Sequence, residues 1–124
     1  MQSTLQYIIE NDLNMQSEEL RKRLQLFAEN SSLWVGQTLD IHQFISTNAA
    51  NFDPHFTTVV KFSYTLMHFG IRMSGAKMMF MGEVFNYEID LGSITQFNES
   101  ERTYFFIEKL SDAVYRKSVL SFKN

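Results

Sequence analysis

The chain has 124 residues, enough for one domain with a real hydrophobic core. It is 44% hydrophobic and 20% charged, which excludes a disordered chain, and its net charge of −3 argues against a generic phosphate-backbone binder, which carries a basic face. The absence of cysteine excludes disulfides, thiolate metal sites and a cysteine nucleophile.

The opening residues lack a basic stretch followed by a long apolar core, so no signal peptide is expected. No apolar run approaches the roughly 20 residues of a transmembrane helix. The expectation is a cytoplasmic protein that binds neither membrane nor nucleic acid. Twelve Phe and seven Met are many for this length. They fit a Phe-rich core, or an exposed Met/Phe surface that adapts to a partner's apolar side chains.

In chain order, Ser3 can cap a short helix carrying Leu5, Ile8 and Ile9 on one face. Ser17 is the next N-cap, and Leu20, Leu24 and Phe27 then recur at helical spacing. Glu18 precedes Lys22, and Glu19 precedes Arg23, by one helical turn in the favourable order. The pattern predicts a helix over about 18–29, ending at Asn30. Residues 32–39 read as a strand with Leu33, Val35 and Leu39 on one face and Trp34 and Thr38 on the other. Asp40 can cap a short helix with Ile41, Phe44 and Ile45 inward, and 46–51 reads as loop.

Asp53-Pro54 is a helix start, since Asp caps and Pro is preorganised for the first helical position. Gly70 can supply the stop. Phe56, Val59, Val60, Phe62, Leu66, Met67 and Phe69 then form a broad apolar stripe, predicting a helix over 54–69. The rival reading is a strand, favoured by β-branched Thr57, Thr58, Val59 and Val60.

Residues 77–91 read as a β-hairpin turning at Gly82-Glu83, with Gly first as a type II′ turn requires. That turn sets Met81 against Val84, Phe80 against Phe85, Met78 against Tyr87 and Lys77 against Glu88. One face collects Ala76, Met78, Phe80, Phe85, Tyr87 and Ile89, all apolar, so Phe85 is expected to be buried. The other face carries Met79, Met81, Val84 and Asn86. Asn98 or Ser100 then caps a final predicted helix over 99–117, with Tyr104, Ile107, Leu110 and Val114 as its stripe. Glu99 and Glu101 at its start, and Arg116 and Lys117 near its end, suit the helix dipole.

Chemistry-bearing motifs are sparse. His42, His55 and His68 are too widely spaced for an ordinary metal pair. Glu83, Glu88 and Asp90 are better explained by solubility than by acid–base work. No nucleophile elbow, phosphate-cradling loop or dinucleotide fingerprint occurs. No catalytic, metal or cofactor-binding residue is expected, and the protein is expected not to be an enzyme.

The order of a capped helix (54–69), a hairpin (77–91) and a final amphipathic helix (99–117) resembles the small class I chaperones of type III secretion and the broader YbjN-like group. The residues that carry the resemblance are 59–69, 77–91 and 101–117. It implies a compact, acidic α/β homodimer in the cytoplasm that binds the N-terminal segment of a secreted effector and holds it for export. The N-terminal half departs from that pattern, which has one helix followed by three strands.

The expected fold class is α+β over 1–124 as a single domain. An antiparallel sheet with the 77–91 hairpin packs against flanking helices (about 18–29, 54–69 and 99–117). The expected function is a non-enzymatic module that binds another protein, as a secretion chaperone does, with Leu33, Trp34, Val35, Met79 and Met81 as contact residues. The competing assignment is that a helix from residues 1–30 covers those side chains. The alternative function is an immunity or inhibitor protein that neutralises a toxin or other protein target. An NTF2-like small-molecule pocket lined by Trp34, Phe80 and Tyr87 is a third reading, against which the long terminal helix argues.

Overall fold

A computed structural model describes residues 17–48, 50–52, 57–72 and 76–124. The described residues form one α-helix, α1 (Glu18–Glu29), and eight strands. The strands are β1 (Thr38–Ser46), β2 (Thr58–Thr65), β3 (His68–Arg72), β4 (Lys77–Met81), β5 (Asn86–Asp90), β6 (Ile94–Ser100), β7 (Thr103–Ser111) and β8 (Val114–Lys123). The fold is therefore dominated by antiparallel sheet, and the expected α+β arrangement with three flanking helices is corrected: of those three, the one over 18–29 is a helix. The chain divides into two compact units, one from Met1–Gly36 and Thr65–Gly92, the other from Gln37–Tyr64 and Ser93–Asn124. The helix expected after Ser3, and Asp53-Pro54, lie outside the described residues. Among the described residues no helix is long and apolar enough to cross a membrane.

In the first unit α1 begins where the sequence predicts. The Ser17 hydroxyl accepts a hydrogen bond from the Leu20 backbone N–H at 3.1 Å. This satisfies one of the N–H groups that a helix start leaves unpaired. Replacing Ser17 with Ala is expected to cost about 1 kcal/mol in a urea titration. Leu24, Phe27 and Ala28 form the buried stripe. The predicted strand over 32–39 is absent at its start. Ser31–Trp34 is a 3-10 turn, and Trp34 folds back so that its ring lies 4.5 Å from that of Phe27. One bulky ring that packs on the preceding helix outweighs a weak alternation.

The strands of this unit form a three-stranded sheet in the order β3-β4-β5. Met78, Phe80, Tyr87 and Ile89 share its buried face, as the alternation predicts. Phe80 packs against Phe69 at 5.1 Å and Phe27 at 6.2 Å. The register differs from expectation. Phe80 faces Tyr87, Met78 faces Ile89 and Lys77 faces Asp90. The Gly82 N–H donates to the Phe85 carbonyl at 2.7 Å, so Glu83 and Val84 are the central residues of the turn. The pairing is displaced by two residues, and Phe85 leaves the buried face. Glu88 pairs with Arg72 at 3.7 Å instead of facing Lys77.

The second unit is a five-stranded sheet in the order β2-β1-β8-β7-β6. One face buries Leu39 and Ile41 from β1, Ser118, Leu120 and Phe122 from β8, Phe106 from β7 and Phe97 from β6. Phe97 and Phe106 lie 4.9 Å apart, and Tyr104 meets Phe122 edge-on at 5.9 Å. Burial, and then the carboxylate of Glu99, raise the Tyr104 phenol above its ordinary pKa, with Arg102 opposing.

The predicted helices over 54–69 and 99–117 are strands where described, and the short helix expected after Asp40 is part of β1. Residues 54–69 contribute β2 and the start of β3, and Gly70 lies within β3 opposite Met79 rather than ending a helix. Of the β-branched run, Thr58, Val59 and Val60 open β2, and the rings of Phe62 and Tyr64 stack 6.2 Å apart. Residues 99–117 hold the end of β6, all of β7 and the start of β8. Ser111 faces Val114 across a turn at Asp112-Ala113. The proposed stripe of Tyr104, Ile107, Leu110 and Val114 is not buried as a set, and Leu110 is exposed.

Candidate functional site

The predicted contact residues all lie in the first unit, but they separate into three environments. Trp34 is buried against Phe27 and presents no surface. Met79 and Met81 share the more open face of the three-stranded sheet and are half-buried. Their methyl groups close over Gly70, so that a Cβ placed there would lie 3.6 Å from each Cε. Leu33 and Val35 are exposed.

Backbone hydrogen bonds tie the segment of Leu33 and Val35 to segments that carry three further exposed apolar residues. Gly36, at φ +92°, turns the chain so that its N–H donates to the Leu66 carbonyl at 2.7 Å. Glycine reaches that φ without the steric cost a side chain would bring. The adjacent Met67 N–H donates to the Met81 carbonyl at 2.8 Å, which sets Met67 beside the end of β4. The hairpin tip, Glu83-Val84, follows directly. Leu33 (68% exposed), Val35 (47%), Met67 (58%), Val84 (84%) and Phe85 (53%) therefore lie along one hydrogen-bonded path. Eight large apolar side chains are exposed among the described residues, and these are five of them. Isolated exposed hydrophobics are ordinary; a contiguous group is the surface signature of a protein contact.

The sequence pointed to Leu33 and Val35 but missed Met67, Val84 and Phe85. Apolar spacing puts Met67 in a helix stripe and strand alternation puts Phe85 on the hairpin's buried face. Their available signal was the Glu83-Val84 turn, which places apolar residues where a hairpin tip is ordinarily polar. Trp34, Phe80 and Tyr87, the residues suggested for a small-molecule pocket, are all buried in this unit's core.

The second unit carries no predicted site residue. The face of its sheet opposite the core holds a groove of about 570 Å³ lined by His42, Phe44, Val59 and Lys61. Beside it, Lys117 faces Phe44 across β1 and β8. The Lys117 ammonium lies 5.8 Å from the Phe44 ring centre, 5.9 Å from that of Phe52 and 5.6 Å from that of Phe105. Such distances allow cation–π attraction. On the buried face of the same sheet, Arg116 donates from Nε (2.9 Å) and Nη2 (2.7 Å) to Glu108 Oε1.

Among the described residues, no group of three or more His, Cys, Asp or Glu side chains is placed to hold a metal ion. His42 belongs to the second unit and His68 to the first, while His55 lies outside the described residues. No protein-family model matches the chain, and no curated protein and no solved structure matches it either.

Proposed function

We propose that the protein is a non-enzymatic, cytoplasmic protein-binding module whose contact surface is the apolar path through Leu33, Val35, Met67, Val84 and Phe85. The observation that carries this reading is the continuity of that path. Five exposed large apolar residues lie on segments of the first unit that backbone hydrogen bonds from Gly36, Met67 and Gly82 tie to one another. A surface fixed by its backbone loses little order on binding, so burial of its side chains goes into affinity. Met79 and Met81, on the neighbouring open face, extend the surface with adaptable side chains.

The partner is a polypeptide with apolar anchors. It is either a segment held extended for export, as a secretion chaperone would hold it, or a folded toxin or other target that an inhibitor would block. The segments 54–69 and 99–117, expected as helices, hold strands, so the binding role is argued from the apolar surface alone.

The test is cross-linking in the source cell, identification of the captured protein, and titration of that protein against wild type and the Val84→Glu/Phe85→Glu variant. Both side chains are exposed, so the variant is expected to keep its thermal midpoint and lose at least tenfold in affinity. Equal affinity in a folded variant would remove the surface. Hydrogen exchange of the isolated partner separates the two roles, since an export segment is unprotected when free and a folded toxin is not. Sedimentation of the same variant reads whether a homodimer uses this patch.

A further inference from the structure

The groove on the second unit has a chemistry of its own. The strand register places His42, Phe44, Lys117 and Phe105 on one face of the sheet, with Val59 and Lys61 of β2 along the groove wall. Across β1, β8, β7 and β6, the paired residues on this face include one carboxylate, Asp40, and Lys123 holds it at 2.5 Å. Lys109 on the same face pairs with Asp112. Lys61 and Lys117 have no carboxylate within ion-pair distance among the described residues. An acidic chain of net charge −3 thus places beside one open groove two ammonium groups that no described carboxylate pairs. The three rings lie 5.6–5.9 Å from the Lys117 ammonium and supply no anionic acceptor to it. The volume falls within the range of roughly 300–1,000 Å³ usual for small-molecule sites.

We propose that this groove binds a small amphipathic carboxylate, its apolar body against Phe44 and Val59 and its carboxylate between Lys61 and Lys117. The apolar walls supply burial, and the two ammonium groups set the sign of the charge accepted. A neutral molecule of the same shape gains only the first of these. The size of the groove suits a small molecule rather than a polymer, whose backbone would need a longer basic track.

The experiment uses the full chain and 2-naphthoate as probe, with 2-naphthalenemethanol as its neutral counterpart and decanoate as an aliphatic one. Methyl NMR spectra report on Val59 in the groove and Val84 on the apolar path. Naphthoate is expected to shift the Val59 methyls saturably. The alcohol is expected to bind at least tenfold more weakly, and decanoate against naphthoate decides whether the body is aliphatic or aromatic. Lys61→Met/Lys117→Met is expected to weaken naphthoate at least tenfold. Lys61→Met alone, at an exposed position, is expected to weaken it at least threefold, so a folding defect in the double variant cannot hide the result. The proposal is overturned if Val59 does not respond, if acid and alcohol bind equally, if naphthoate shifts only Val84, or if Lys61→Met leaves affinity unchanged.

Discussion

Replacing Glu108 with Ala is expected to cost about 3–5 kcal/mol of folding stability in a denaturant titration. Glu108 is 1% exposed and Arg116 is mostly covered. Two donors of the guanidinium converge on one carboxylate oxygen, and Arg116 Nη1 lies 3.4 Å from Gln43 Oε1. Removing Glu108 leaves a largely buried cation without its counter-charge, and that desolvation penalty sets the size of the loss. The pair itself need not be worth this much. Its attraction is offset by the cost of taking two charges out of water, so Glu108→Leu/Arg116→Met, which removes both, is expected to recover most of the loss. A loss below about 1 kcal/mol for Glu108→Ala, or a double variant less stable than the single, would show that Arg116 finds water on its own.

Residues 99–117 misled through their charges. Glu99 and Glu101 near the start and Arg116 and Lys117 near the end are what a helix dipole favours, but across the strands Glu99 faces Tyr104 and Arg116 faces Glu108. The signal of a strand lay just past that segment. In Ser118-Val119-Leu120-Ser121-Phe122, Ser118, Leu120 and Phe122 alternate into the core at the period of a strand, and β8 runs back from there to Val114. Residues 54–69 failed for a different reason. Asp53-Pro54 and Gly70 imitate helix punctuation, while β2 takes its place beside β1, a partner that local reading cannot supply. Helix α1 was legible because its cap, its stripe and its end at Asn30 are all encoded within the segment itself.

The candidate surface was legible only in part, and again the cause is local. Leu33 and Val35 were readable as apolar residues whose cover was undecided. Trp34 between them looked equivalent, but a large ring beside a helix end finds a packing partner in Phe27. Met67, Val84 and Phe85 join the surface through hydrogen bonds between segments distant in sequence, such as Gly36 to Leu66. No single stretch records that meeting. The cluster beside the groove of the second unit was hidden for the same reason, since Phe44, Phe105 and Lys117 come together only through the register of three strands.

Replacing Phe80 with Ala is expected to cost about 3–5 kcal/mol, and replacing Phe85 with Ala less than about 1 kcal/mol. The contrast tests the register of the hairpin. Strand alternation assigns both rings to one face, and a shift of two residues leaves every face unchanged, so alternation alone cannot choose between the two pairings. A turn centred on Gly82-Glu83 would set Phe80 against Phe85 and bury both. The turn centred on Glu83-Val84 sets Phe80 against Tyr87 and leaves Phe85 half in solvent. Phe80 is fully buried between Phe27 and Phe69, so its truncation opens a cavity that the surrounding strands cannot fill. Double-mutant cycles sharpen the choice. Phe80 and Tyr87 are expected to couple by about 0.5–3 kcal/mol, whereas Phe80 and Phe85 should add to within roughly 0.5 kcal/mol. A loss above about 2 kcal/mol for Phe85→Ala, with clear coupling to Phe80, would return the turn to Gly82-Glu83. It would also withdraw Phe85 from the proposed binding surface, because a ring that holds the hairpin together is not free to meet a partner.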